Sequence, residues 1–231
     1  MNNILFLMMG GVGSRTGLSI PKQFFEIKGK PIYEYILQKY LRSNLINRVI
    51  IICNKSYIDI VKAEVCKYKN ISIEVVPGGS SRTESVLNGI RKCIDLKCPF
   101  DANILIHDTT HPYLDYETLK LALNLTSKEP AITFASHVWD TVYLSTEHDC
   151  IDKTLPRSRI AVGASPEIFK FSLLVSLLEE PDPEKYTSIG NYIESKNINI
   201  KIVWSDLINL KITYKEDLKL LLSAKQYFLE D

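Results

Sequence analysis

The stretch from Ile4 to Gly13 constrains this chain more than any other. Ile4 to Met9 is an unbroken apolar run, the pattern of a strand buried on both faces of a parallel sheet, and it ends in Gly10, Gly11 and Gly13. Glycines at the carboxyl end of a central strand let the backbone approach a ligand closely and aim its N–H groups at phosphate oxygens. Arg15 and Lys22 follow within one loop and add permanent cations. The combination reads as a triphosphate site.

Two commoner glycine loops do not fit. A dinucleotide fingerprint needs a glycine where Thr16 stands and an acidic residue at the end of the next strand, which instead ends in Cys53-Asn54. A Walker loop needs Gly-Lys-Ser/Thr, but Gly17 is followed by Leu18. Glycines alone would suit an ordinary strand-to-helix turn. Arg15 and the Pro21-Lys22-Gln23 step favour the phosphate loop.

The chain has 231 residues, enough for one large domain with an appendage. Its 28 Lys and Arg against 27 Asp and Glu leave a formal charge of +1, so there is no basic field to hold a nucleic acid. Cys53, Cys66, Cys93, Cys98 and Cys150 are odd in number and scattered, which suggests reduced thiols in a cytoplasmic protein rather than a disulfide framework or a zinc site. The start lacks a signal peptide's basic residues, and the apolar run is too short for a membrane span.

Strands then alternate with helices. The pattern predicts helices over 31–41, 57–68, 85–94 and 114–125 and strands over 48–53, 71–76, 103–108 and 131–135. This implies an α/β fold of three layers, doubly wound around a mostly parallel sheet, with ligands bound outside the carboxyl ends of the strands. The loops at 10–22, 78–85 and 107–112 should therefore share one edge. Residues 138–164 change character and read as an extended hairpin arm leaving a single domain over 1–231, and such an arm usually finds a partner. The chain returns to helix from Pro166, with a further helix over 185–195, a strand over 199–204, and a last helix capped by Thr213 and Glu216.

Asp108 ends a strand facing the glycine loop. A carboxylate beside a triphosphate is best explained as a magnesium ligand, although a solvated or capping Asp is the plainer alternative. Arg15 and Lys22 would neutralise charge as pyrophosphate departs. Lys211 lies in an apolar alternation and is either buried against an anion or exposed. His107 and His111 lack metal-ligand company and default to packed imidazoles. The chemistry fits phosphoryl or nucleotidyl transfer, by positioning and charge compensation.

These residues have a family. Gly10 to Arg15, Pro21 to Phe24 with Gly29-Lys30-Pro31, Gly78 to Val86, His107-Asp108, Asp140-Thr141 and Asn209 to Thr213 closely resemble the CTP-dependent cytidylyltransferases that act on 2-C-methyl-D-erythritol 4-phosphate and ribitol 5-phosphate. The resemblance spans nearly the whole chain. It implies attack by an acceptor's phosphate oxygen on the α-phosphorus of CTP, with magnesium at Asp108. It implies CTP binding by Met9, Gly10, Gly11, Gly13, Gly79, Ser80, Arg82, Ser85 and Thr109. Within that set Gly11, with Arg15 and Lys22, holds the triphosphate, while Gly79, Ser80 and Ser85 read cytosine or ribose. The catalytic set is Arg15, Lys22 and Lys211, and the acceptor would meet His111, Thr141 and Lys211. The family's arm exchanges within a homodimer, so Arg157 or Arg159 would reach the partner's acceptor site.

The departures lie on the acceptor side. His111 stands where the family usually has arginine, Ala164-Ser165-Pro166 replaces Gln-Thr-Pro, and Thr187-Ser188 replaces Thr-Asp. Histidine offers fewer donors and is largely neutral at pH 7. With Asp206 to Asn209 resembling the ribitol phosphate branch, the expectation is a polyol phosphate acceptor for capsule or teichoic-acid assembly. A methylerythritol phosphate enzyme of isoprenoid synthesis and a non-catalytic nucleotide-binding member are the alternatives. Retention of Arg15, Lys22 and Asp108 argues against the latter.

Overall fold

The computed structural model describes residues 2–11, 20–205 and 209–223. The first strand, β1 (Asn3–Met9), is buried along its whole length. A small hairpin of β2 (Glu26–Ile27) and β3 (Lys30–Pro31) leads into α1 (Ile32–Ser43), followed by β4 (Arg48–Cys53), α2 (Ile58–Val65), β5 (Ser72–Pro77), α3 (Arg82–Asp95), β6 (Asn103–Asp108), α4 (Tyr116–Leu125) and β7 (Ala131–His137). An outlying hairpin of β8 (Val142–Ser145) and β9 (Ile151–Leu155) precedes β10 (Ala161–Lys170), α5 (Phe171–Val175), α6 (Ile189–Ser195), β11 (Lys201–Trp204) and α7 (Lys215–Ser223). Seven strands form one sheet in the order β11-β7-β10-β6-β1-β4-β5. All are parallel except β10, which runs antiparallel to both β6 and β7.

The two-residue period of β1 builds both faces. Leu5, Leu7 and Met9 pack with α1, α2 and α4, while Ile4, Phe6 and Met8 pack with α3, α5 and α6. This is the doubly wound, three-layer arrangement expected from the alternation. Among the described residues no helix is long and apolar enough to cross a membrane, and the five cysteines are unpaired.

Three expectations need correction. Pro166 does not begin a helix: it sits inside β10, where the register shifts between Ala164 and Glu167, a place where a sheet tolerates a residue with no N–H to donate. The arm is consequently shorter than 138–164, because Ala161 to Ala164 already pair with β7 in the main sheet. At the last helix the capping carboxylate is Asp217, which accepts from the Thr213 and Tyr214 amides at 2.7 Å each, in place of the Glu216 predicted for a capping box. The expected helical face beyond Ser223 lies outside the described residues.

Candidate active site

The three polar loops meet at the carboxyl edge of β1, β4, β5 and β6 around a cavity of about 880 Å³. Gly10, Gly11 and Lys22 line one side, Gly78 to Arg82 with Glu84 and Ser85 a second, and Asp108 and Thr110 the floor between them. Lys211 arrives from the segment before α7, which is held because the Ile212 amide donates to the Thr110 carbonyl at 2.8 Å. Lys22, Lys55, Arg82 and Lys211 face only two carboxylates, Glu84 and Asp108, so the described wall favours an anionic ligand.

The glycine loop is braced from below. Gln23 is buried and donates through Nε2 to the carbonyls of Met9 at 2.9 Å and Gly11 at 2.7 Å. Those two bonds fix the carbonyls of Met9 and Gly11, where the loop leaves β1. Nothing in the sequence alone assigns Gln23 this role; its place directly after Pro21-Lys22 is the one signal that marks it. Lys22 is drawn across the site by its own bond, from Nζ to the Ile212 carbonyl at 2.5 Å. Gly13 and Arg15 lie outside the described residues.

Opposite, the start of α3 is a network of self-satisfied turns. Ser85 Oγ accepts from the Gly79 amide at 3.0 Å and donates to the Ser81 carbonyl at 2.8 Å. Ser81 caps the helix by accepting from the Glu84 amide at 3.0 Å, and the Glu84 carboxylate accepts from both the amide and the hydroxyl of Ser80. Gly10 and Gly78 touch across the cavity floor: a Cβ on Gly78 would lie 3.1 Å from the Gly10 Cα.

Asp108 opens onto the cavity and accepts from Arg82 Nε at 3.4 Å, while Arg82 Nη2 donates to Glu167 at 2.9 Å. Burial alone would lower the Arg82 guanidinium, but Asp108 and Glu167 outweigh it and hold it above its ordinary value. Among the described residues no three His, Cys, Asp or Glu gather into a cage of their own. One carboxylate beside a phosphate cradle is the donor set that suits magnesium, which keeps several waters and shares its coordination with substrate phosphates.

Several predicted contacts fall elsewhere. Thr109 is buried and its hydroxyl donates to the Met8 carbonyl at 3.0 Å, so it fastens β6 to β1 rather than facing the cavity; Thr110 takes the lining position. The Met9 side chain is packed in the core, and Met8 lines the cavity in its place. His111 is buried beside Ser165 and Asn209 in a separate small cleft, its imidazole pushed down to about 4 by burial, with His107 and Lys211 acting in the same direction. His107 is fully buried and likewise pushed down to about 4, despite the His111 carbonyl and Asp108, which favour its charged form. Thr141, Arg157 and Arg159 are exposed on the arm and its base, away from this chain's own cavity, and Arg157 donates to the Trp139 carbonyl at 2.6 Å.

Comparison with known proteins agrees with this geometry. The family described as IspD, 2-C-methyl-D-erythritol 4-phosphate cytidylyltransferase, matches residues 4–228. A 2-C-methyl-D-erythritol 4-phosphate cytidylyltransferase of Thermosipho melanesiensis is 32% identical over 95% of this chain and 96% of its own length. One from Clostridium acetobutylicum is 31% identical over 94% of each. The crystal structure of 4-diphosphocytidyl-2C-methyl-D-erythritol synthase from Anaerococcus prevotii superposes with a TM-score of 0.79 at 22% identity, covering 97% of this chain and 98% of that one, and shows a shared fold.

These relatives overturn the expected polyol phosphate acceptor and its place in capsule or teichoic-acid synthesis, because they are named for methylerythritol phosphate. The structure supplies the reason the departures misled. His111 is buried in its own cleft and Ser188 caps α6 by accepting from the Asn191 amide at 3.0 Å, so both substitutions have structural duties. Ser165 accepts from the Asp108 amide at 3.4 Å. The chain belongs to the IspD family of cytidylyltransferases, which are CTP-dependent enzymes.

Proposed function

We propose that this chain transfers CMP from CTP to 2-C-methyl-D-erythritol 4-phosphate, releasing pyrophosphate. The observation that carries the reading is the convergence of Gly10, Gly11, Lys22, the Gly78 to Ser85 turn, Asp108 and Lys211 on one cavity, in a chain whose relatives over nearly its full length bear that name. The acceptor's phosphate oxygen attacks the α-phosphorus of CTP, the bond to the bridging oxygen breaks, and pyrophosphate carries away the electron pair. Lys22, and Arg15 in the same loop, meet the charge that builds on the leaving group. The side-chain-free backbone of Gly10 and Gly11 lets the phosphates approach closely, and the dipole of α3 favours their charge. Lys211 holds the acceptor phosphate and lowers the repulsion between two anions brought together. Asp108 would hold a magnesium ion, which would supply charge neutralisation at the phosphates.

The arm completes this reading. Trp139, Tyr143, Leu144 and Ile151 are large apolar side chains exposed on the hairpin and its base, a surface suited to a second copy of the chain. In the homodimer, Arg157 or Arg159 and Thr141 reach the acceptor phosphate bound by the partner.

The experiment is pyrophosphate release with CTP and magnesium across methylerythritol, ribitol and glycerol phosphates, with an Asp108→Ala control. Methylerythritol phosphate should give the highest kcat/KM, and the variant should be silent. Faster turnover of another acceptor would overturn the assignment.

A further inference from the structure

Glu167 lies in β10 directly after Pro166 and holds Arg82 more closely than Asp108 does. Its Oε2 is 2.9 Å from Arg82 Nη2, whereas Asp108 Oδ1 is 3.4 Å from Arg82 Nε. One guanidinium therefore bridges two carboxylates, and its shorter bond goes to the one that does not line the cavity. Without that bond, the guanidinium fork could close on Asp108 as a bidentate pair, and a cation would then have to displace it.

Glu167 is itself well placed to resist. β10 is paired on both sides, with β6 and β7, so the residue stands on a rigid support. The start of α6 closes over the carboxylate, since a Cβ on Gly190 would come within 3.6 Å of Glu167 Oε1. We propose that Glu167 is a positioning residue that holds Arg82 off Asp108 and so keeps that carboxylate available to a divalent cation beside the nucleotide. This rests on the reading of Asp108 as the cation's protein ligand.

The test uses Mn2+ as probe, with the full chain, saturating CTP and no acceptor, and reads water-proton relaxation as Mn2+ joins the complex. Glu167→Gln keeps the side chain's size but cancels its charge, and should weaken Mn2+ binding about tenfold, the loss typical of a group that orients a metal ligand. In an Arg82→Gln background the same change should cost nothing further, because the group it restrains is gone. Unchanged Mn2+ affinity in Glu167→Gln, with or without lower stability to urea, would overturn the proposal. So would an undiminished effect in the Arg82→Gln background, which would mean that the charge acts on the cation directly. Asp108→Asn separates the two layers: if Mn2+ binding survives it, the Asp108 reading fails and the proposal with it. If that variant abolishes binding while Glu167→Gln changes nothing, the positioning role alone fails.

Discussion

The hydroxyl of Tyr40 lies 2.9 Å from Nδ1 of His107, and both side chains are sealed from water. On its other side the imidazole meets the His111 carbonyl, 2.9 Å from Nε2. A carbonyl only accepts, so Nε2 carries the proton and Nδ1 receives one from Tyr40. The neutral ring thus ties α1 to the turn that carries Asp108. A cavity-lining carboxylate is held in place by a polar chain with no ligand contact of its own.

That neutral ring makes the fold sensitive to mild acid. In the unfolded chain an imidazole titrates near its ordinary value of about 6.5, whereas burial holds His107 at about 4 in the fold. Above about 6.5 neither state binds a proton there and stability is full. As pH falls from that point toward 4, only the unfolded chain takes one up, so stability declines by about 2–3 kcal/mol for this ring alone. Urea unfolding at intervals from pH 7 to pH 4.5 measures it. His107→Gln should flatten part of the slope, and a wild-type protein equally stable across the range would refute a buried neutral histidine.

The contact between the two glycine loops leads to a second expectation. Because the atom facing a Cβ on Gly78 is the Gly10 backbone, at 3.1 Å, it cannot swing aside as a side chain would. Gly78→Ala should cost about 1–3 kcal/mol of stability and weaken CTP binding by displacing the loop. Among the described residues, a Cβ on Gly11 meets nothing within 4 Å. Gly11→Ala should therefore fold as the wild type does and lose affinity only if a phosphate sits against that backbone, which calorimetric titration with CTP reads directly.

Lys22 spans the site to the Ile212 carbonyl, and its proposed task is to meet charge that grows in the transition state. Lys22→Met should lower kcat by a factor on the order of 10²–10³ while changing the KM for CTP far less. A variant that loses only CTP affinity, with kcat intact, would make Lys22 a uniform binding group instead.

Much of this was legible in the sequence because the signals were local. The apolar run of β1 and the glycines after it need no distant partner to be read, and the rule that ligands bind at the carboxyl edge brought the three loops together. What stayed hidden depends on pairing. β10 carries its proline in mid-strand, where only the neighbouring strands make it tolerable. Gln23, Glu167 and Tyr40 take their roles from groups far away in the chain, such as the Gly11 carbonyl, Arg82 and His107. At His111 the plain reading of a packed imidazole was the right one, and the resemblance that placed it against the acceptor misled, because it is buried in a cleft of its own.

If the arm completes the partner's site, two inactive proteins should restore each other. Arg157 is exposed and held at the arm's base by the Trp139 carbonyl, at 2.6 Å, whereas Lys22 lines the chain's own cavity. A dimer of one Arg157→Ala chain and one Lys22→Met chain then contains one site with both lesions and one with neither. Mixed and allowed to exchange, the two variants should recover about a quarter of wild-type turnover, since half of the dimers are mixed and half of their sites are intact. Tyr143→Asp with Ile151→Asp should prevent the recovery by charging the exposed hairpin, with sedimentation showing monomers. If Arg157 instead serves its own chain, each mixed dimer holds one lesion per site and mixing restores nothing.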